Sequence, residues 1–144
     1  MNSPQKLPFN EFVKIYSKVP RLCVDLLINN DDGFLLTLRA IEPGKGQWHF
    51  PGGTVLMGES IEDAIVRIAK EETSLEVDNP QHIGILEFNE HENPFFHTIS
   101  LVFEVDIISG TPKGSEQGKQ FQFFEDPPEN MIEEQKIFME DFLL

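Results

Sequence analysis

One segment, residues 52–75 (GGTVLMGESIEDAIVRIAKEETSL), constrains the fold of this chain more than any other. A tight Pro51-Gly52-Gly53 turn leads through Glu59 into a predicted helix carrying Arg67, Glu71 and Glu72. At about 100° per residue, Ile61, Ile65 and Ile68 fall on one stripe, flanked by Ala64 and Ala69. Glu72 falls within about 20° of Ile61, in line with that apolar stripe. A carboxylate there is costly to bury unless a cation or hydrogen-bond donors receive it. Glu71 sits one step round, within ion-pairing reach of Arg67 one turn earlier. Two adjacent acids beside a glycine-rich turn suit a hard divalent metal at a phosphate site. Packing alone does not require them.

Composition bounds what surrounds this segment. The 144 residues fit a single domain, 1–144, with one sizeable core. With 40% hydrophobic and 25% charged residues, the chain reads as an ordinary soluble globular protein. It has no apolar run of about 18 residues or more, and its N-terminus carries no signal-peptide pattern. Cys23 is the only cysteine, which excludes an internal disulfide and fits a reducing cytoplasm. The formal net charge is −14. An acidic surface repels phosphate backbones and anionic lipid, so neither nucleic acid nor membrane is expected as a partner. A small anionic phosphate substrate would need bound metal and a few placed arginines to offset that repulsion. Solubility by itself also accounts for the charge.

Asn10 is placed to cap a short helix bearing Phe9, Phe12, Val13 and Tyr16, which Pro20 ends. Its aromatics offer a face either to a second subunit, as in a homodimer, or to the chain's own core. Residues 21–29 alternate as a strand, with Leu22, Val24, Leu26 and Ile28 opposite Cys23, Asp25 and Leu27. Asn30-Asp31-Asp32-Gly33 is a turn signal, and residues 34–39 are its hairpin partner. After a loop at 42–46, Trp48 and Phe50 read as core. The main helix is predicted from Ser60 to about Thr73, with Ser60 and Asp63 in a capping-box-like arrangement. Residues 84–88 and 97–107 are two further strands, joined by a polar and aromatic loop. A loop at 110–118 precedes a last strand at 120–124. Residues 131–142 form an amphipathic helix with Met131, Gln135, Phe138 and Phe142 on one side.

The 53–75 segment resembles the Nudix box. That pattern is Gly, five residues, Glu, seven residues, Arg-Glu, an aliphatic, any residue, Glu-Glu, any residue, Gly, an aliphatic. Gly53, Glu59, Arg67, Ala69, Glu71, Glu72 and Leu75 match at the right spacing. Ile68 stands where the box has the glutamate after arginine, and Ser74 where it has glycine. The resemblance implies an α/β fold, an α/β/α sandwich with a mixed sheet. In several Nudix enzymes the glutamate absent at Ile68 is the general base, so pyrophosphate cleavage by that route does not carry over.

Outside the box the chain is similar to the GDP-mannose mannosyl hydrolase branch, over roughly residues 9–124. The matching positions are Phe12-Val13, Pro20, Asp25, Asn29, Gly33-Phe34-Leu35-Leu36, Arg39, Pro43, Gly46, Trp48, Pro51-Gly52-Gly53 and Arg67-Ile68. That branch attacks the sugar carbon and releases free sugar and GDP. The resemblance implies a Mg2+ site, with Mn2+ as substitute, formed by the Gly52 carbonyl, Glu72 and Gln117. All three are oxygen donors, as magnesium prefers. It further implies that Asp25 and Arg39 hold the substrate. Three correspondences fail: Gly118 stands where the branch has its histidine base, Thr54 where it has an arginine, and Thr98 where it has a tyrosine facing the leaving group. Glu71, Glu116, His91 and His97 stay open as bases.

Each assignment has a plainer reading. Glu72 could be a helix-end acid facing water, and Glu71 is accounted for by pairing with Arg67. Arg67 can tie the helix to the glycine loop, and Glu59 can serve the helix dipole. Four histidines without paired spacing and one cysteine do not make a zinc site. Lys113 and Lys119 flank Gln117 and could meet phosphate, though solvated loop lysines are commoner. Three functions remain. The first is a magnesium-dependent hydrolase of a nucleoside diphosphate linked to another moiety, a nucleotide sugar first. The second is a pyrophosphohydrolase of nucleoside triphosphates or ADP-ribose-like compounds. The third is a non-catalytic nucleotide-binding module.

Overall fold

The computed structural model describes residues 4–40, 45–89, 97–113 and 118–143. The chain runs α1 (Phe9–Tyr16), β1 (Arg21–Asn30), β2 (Gly33–Arg39), β3 (Trp48–His49), β4 (Gly52–Thr54), α2 (Ile61–Thr73), β5 (Glu76–Asn89), β6 (His97–Ser109), β7 (Gly118–Phe124) and α3 (Glu133–Leu143). Among the described residues seven strands form one sheet, in the order β3-β2-β1-β6-β5, with β4 added beside β1 and β7 beside β2. β1 and β6 run parallel while the other pairs are antiparallel, so the sheet is mixed as expected.

Alternation along β1 divides the core into two layers. Val24, Leu26 and Ile28 pack with Ala64, Ile65, Ile68 and Ala69 of α2. Leu27 turns the other way and packs with Phe50, Val102 and Met139, the last from α3. The two helices thus cover opposite faces of the sheet, which is the expected sandwich. Trp48 and Phe50 belong to the α3 layer, as core side chains. Gly84 lets α3 approach the sheet, because a Cβ there would overlap the Phe138 ring.

The hairpin between β1 and β2 forms where the turn signal lies: Asn30 Oδ1 accepts from the Asp32 amide at 2.8 Å, and Gly33 has φ +122°. Several boundaries differ from expectation, and two of them have a local cause. α1 starts after Pro8, whose side chain has no polar atom to cap it, and Asn10 lies inside the helix. β5 begins at Glu76 rather than Gly84. Its first half carries Pro80 and a left-handed Asn79 (φ 53°), both turn signals, and it keeps pairing with β6 through register shifts.

Candidate active site

The glycine turn is held from beneath by α2. Ser60 caps the helix, its hydroxyl accepting from the Asp63 amide at 3.0 Å. About two turns later Arg67 binds three partners at once. Its Nε and Nη2 donate to Glu59 at 2.7 and 3.1 Å, Nη1 donates to Glu71 at 3.0 Å, and Nη2 donates to the Thr54 carbonyl at 2.8 Å. Glu59 also accepts from the Leu56 amide, and its side chain is only 4% exposed. The Arg67 hydrogen bonds hold the Glu59 carboxyl below the usual glutamate range, against the opposing effect of burial. Glu59 is therefore a buried strut between the loop and the helix, more than a dipole charge. Arg67 ties α2 to the end of β4, just after the glycine pair.

The adjacent acids separate in character. Glu71 is partly exposed and ion-paired with both Arg67 and Lys6, each at 3.0 Å. Glu72 is half-buried on the next position of the helix. Ile68 is 1% exposed, and its Cγ1 and Cδ1 lie 3.3 Å from where a Gly53 Cβ would stand. Hydrocarbon thus fills the space beside the turn where the box pattern has a carboxylate. Ser74, in place of the box glycine, closes α2 in the left-handed region (φ 63°, ψ 16°) and donates its amide to Lys70 O. That conformation costs a non-glycine residue about 1 kcal/mol. Ser74→Gly is expected to raise the unfolding free energy by roughly that amount in urea titrations, with catalytic rates unchanged.

On the other face of the sheet, Gly52 pairs with Asp25. A Cβ at Gly52 would overlap the Asp25 carboxylate, so only glycine permits this approach. Asp25 is 7% exposed. Burial pushes its carboxyl up to about 7, opposed by a hydrogen bond from Ser100, the charge of Arg21 and a hydrogen bond from Gln135. Gln135 of α3 donates to Asp25 Oδ2 at 3.4 Å and accepts from the Phe50 amide at 2.8 Å. It thereby fixes the residues just before the glycine pair. Gln135 and Ser100 were not singled out by sequence. The available signal was an amide among Met131, Phe138 and Phe142 on the apolar side of the last helix.

Arg39 ends β2, where it lies opposite Gly118, the first residue of β7. Its charge bears on His49. The His49 ring is buried, with Nδ1–H donating to the Phe50 carbonyl at 2.7 Å and Nε2 accepting from the Thr37 hydroxyl at 3.1 Å. Burial lowers its pKa to about 4. His49 and Asp25 oppose each other in their effect on stability. His49 contributes stability that is present above its unfolded value of 6.5 and lost as pH falls through 4. Asp25 contributes stability that is present below 3.8 and lost as pH rises through 7. Each effect is about 3–4 kcal/mol at full extent. In chelator-treated protein, His49→Gln should make stability fall from pH 4 to 7 relative to wild type, and Asp25→Asn should make it rise. Urea unfolding at four pH values separates the slopes; parallel curves for all three proteins would refute both assignments.

Glu116, Gln117 and His91 lie outside the described residues. Lys113 reaches the end of α2, its amide donating to the Thr73 carbonyl at 2.7 Å. His97 opens β6 and is half-buried. Among the described residues no group of three or more His, Cys, Asp or Glu could hold a metal ion. The Gly52 carbonyl and the Glu72 carboxylate are hard oxygen donors of the kind a divalent metal prefers. A hollow of about 390 Å³ lined by Glu129, Met131, Glu133, Lys136, Ile137 and Glu140 lies along α3. Its three glutamates repel a diphosphate, so it is no rival to the glycine turn.

A family model described as the NUDIX domain matches residues 19–142. The low-salt glycan biosynthesis protein Agl8 of Haloferax volcanii is 32% identical over 131 residues, covering 88% of this chain and 84% of its own. An ADP-ribose pyrophosphatase of Methanocaldococcus jannaschii is 38% identical over 106 residues, covering 74% of this chain and 62% of its own. The crystal structure of a MutT Nudix hydrolase from Burkholderia pseudomallei aligns with a TM-score of 0.77 at 24% identity, over 85% of this chain and 98% of that one. No helix among the described residues is long and apolar enough to cross a membrane. The chain belongs to the Nudix family, as a hydrolase of nucleoside diphosphate derivatives.

Proposed function

We propose that this hydrolase acts on a nucleoside diphosphate linked to a further group, with a nucleotide sugar as the first candidate. The observation that carries the reading is Ile68. A fully buried aliphatic side chain against Gly53 removes the carboxylate base of phosphorus attack from the box. What remains beside the turn binds and orients a diphosphate without that base. The likeness to a glycan biosynthesis protein over most of both chains supports a glycosyl-bearing substrate.

In this reading the Gly52 carbonyl, Glu72 and Gln117 would hold Mg2+ or Mn2+, which supplies charge neutralisation on the departing diphosphate oxygen. Arg67 and Glu59 keep the helix ligand and the turn ligand in register by joining α2 to Thr54. Gly52, with no side chain, lets Asp25 lie against the turn. Arg39 grips substrate oxygens through its planar fork. Glu71 is engaged by both Arg67 and Lys6, which leaves Glu116 and His97 as the better candidates to activate water.

Likeness to an ADP-ribose pyrophosphatase keeps a second reading, attack at phosphorus on ADP-ribose-like substrates. A panel of nucleotide sugars, ADP-ribose and nucleoside triphosphates, incubated with Mg2+ or Mn2+ and separated by chromatography, decides. Free sugar plus nucleoside diphosphate is the expected result. Two monophosphates, or a monophosphate plus pyrophosphate, would replace it with the second reading. Tight binding without turnover of any panel member would sink both.

A further inference from the structure

We infer that Gln135 and His49 are positioning residues for the divalent metal, gripping the Phe50 peptides on both sides and so aiming the Gly52 carbonyl; this rests on the metal reading above. The Phe50 amide donates to Gln135 Oε1 at 2.8 Å, and the Phe50 carbonyl accepts from His49 Nδ1–H at 2.7 Å. Pro51 has no N–H to satisfy, and its carbonyl accepts from the Leu26 amide at 2.8 Å. Every backbone polar group from the Phe50 amide to the Pro51 carbonyl is thus held, from α3, β3 and β1 in turn. The two side chains are themselves fixed. His49 Nε2 accepts from the Thr37 hydroxyl of β2 at 3.1 Å, and Gln135 Nε2 donates to Asp25 of β1 at 3.4 Å. Both are buried, at 7% and 4% exposure.

The register of β4 on β1 directs the next carbonyl. Leu26 donates to the Pro51 carbonyl and Val55 to the Leu22 carbonyl, so Leu26–Pro51 and Leu22–Val55 are hydrogen-bonded pairs. Val24–Gly53 is one by alternation, and Asp25–Gly52 is a pair of the other kind. The Gly52 carbonyl therefore points away from β1, where a metal can meet it. Between the clamped Pro51 carbonyl and this one lie only the φ and ψ of a glycine, the residue with least restraint of its own. What holds the preceding peptides is what aims it. Packing asks for neither polar side chain. The surrounding layer is built from Leu27, Phe50, Met131 and Met139, and another methionine would fill position 135 with no polar group to satisfy. An amide and an imidazole that converge on one residue, just before the glycine pair, supply an orientation that hydrocarbon cannot.

The test is calorimetric titration of Mn2+ alone into wild type, Glu72→Gln, Gln135→Met, His49→Asn and His49→Gln, with melting temperatures, kcat and KM alongside. Gln135→Met should weaken Mn2+ about ten- to a hundredfold and lower kcat similarly, as loss of a group that orients a metal ligand does, with KM little changed. The two His49 variants separate aim from stability. An asparagine amide nitrogen can stand where Nδ1 stands and keep the bond to the Phe50 carbonyl, whereas glutamine reaches the Thr37 side instead. Both should melt lower than wild type, yet His49→Asn should stay close to it in Mn2+ affinity while His49→Gln loses about tenfold. Should Gln135→Met fail to fold, the His49 pair carries the comparison. Unchanged Mn2+ affinity and kcat in folded Gln135→Met and His49→Gln, with only melting temperatures lowered, would make both residues parts of the core and overturn the inference. The two readings fail distinguishably. If Glu72→Gln binds Mn2+ as wild type does, the metal reading has failed and takes this inference with it. If Glu72→Gln loses Mn2+ while Gln135→Met and His49→Gln keep it, the metal reading stands and this inference alone falls.

Discussion

Arg67→Ala is expected to lower the unfolding free energy by about 3 kcal/mol, because it strands a buried carboxylate. Glu59 is 4% exposed at its side chain and receives two of the arginine's bonds, whereas Glu71 is 37% exposed and contributes little. The Thr54 carbonyl loses its donor in the same substitution. Urea unfolding should find Glu71→Gln within about 0.5 kcal/mol of wild type, and Glu59→Gln nearly as destabilised as Arg67→Ala. The double variant Arg67→Met with Glu59→Leu should recover much of the loss, since it removes the stranded charge together with its partner. Additive losses in that double variant would mean that Arg67 acts by packing and not by receiving Glu59.

The second large effect concerns chemistry and should leave stability alone. Glu72→Gln removes the one carboxylate among the three proposed ligands. It is expected to reduce kcat by about a thousandfold, several kcal/mol of transition-state stabilisation. Calorimetry should find Mn2+ affinity lost in parallel, with the melting temperature of the metal-free protein unchanged. Glu71→Gln should keep kcat within about tenfold, because its carboxylate already serves two cations. If Glu71→Gln proves the more damaging of the two, the metal has been assigned to the wrong acid.

What sequence spacing made legible was the set of contacts lying close along the chain. Ser60 capping the helix through the Asp63 amide and Arg67 pairing with Glu71 are written at helical intervals, and they form as spaced. The bond from Arg67 to Glu59, which precedes the helix, was not legible. The two-layer core followed from alternation in residues 21–29. The first half of β5 was illegible because Pro80 and Asn79 carry turn signals, while partners on β6 hold the backbone extended through bulges. Long-range polar contacts leave no local pattern at all. Thr54 and Thr98 were visible as departures from the related branch, yet only the sheet brings the Arg21 guanidinium between them. Gln135 is 110 residues from Asp25, and no spacing rule reaches so far.

That separation bears on the order in which the protein becomes competent as it is made. The Nudix box, β1 and the glycine turn are all synthesised before α3 exists. Until Gln135 arrives, the Phe50 amide lacks its acceptor and Asp25 lacks one of its donors. Met139, fully buried beside Leu27 and Phe50, arrives later still. A nascent chain stopped before Glu133 would carry every residue of the motif and still hold the turn loosely. The hold on the turn is therefore gated by α3, and truncation before Glu133 is expected to lower activity without touching the motif.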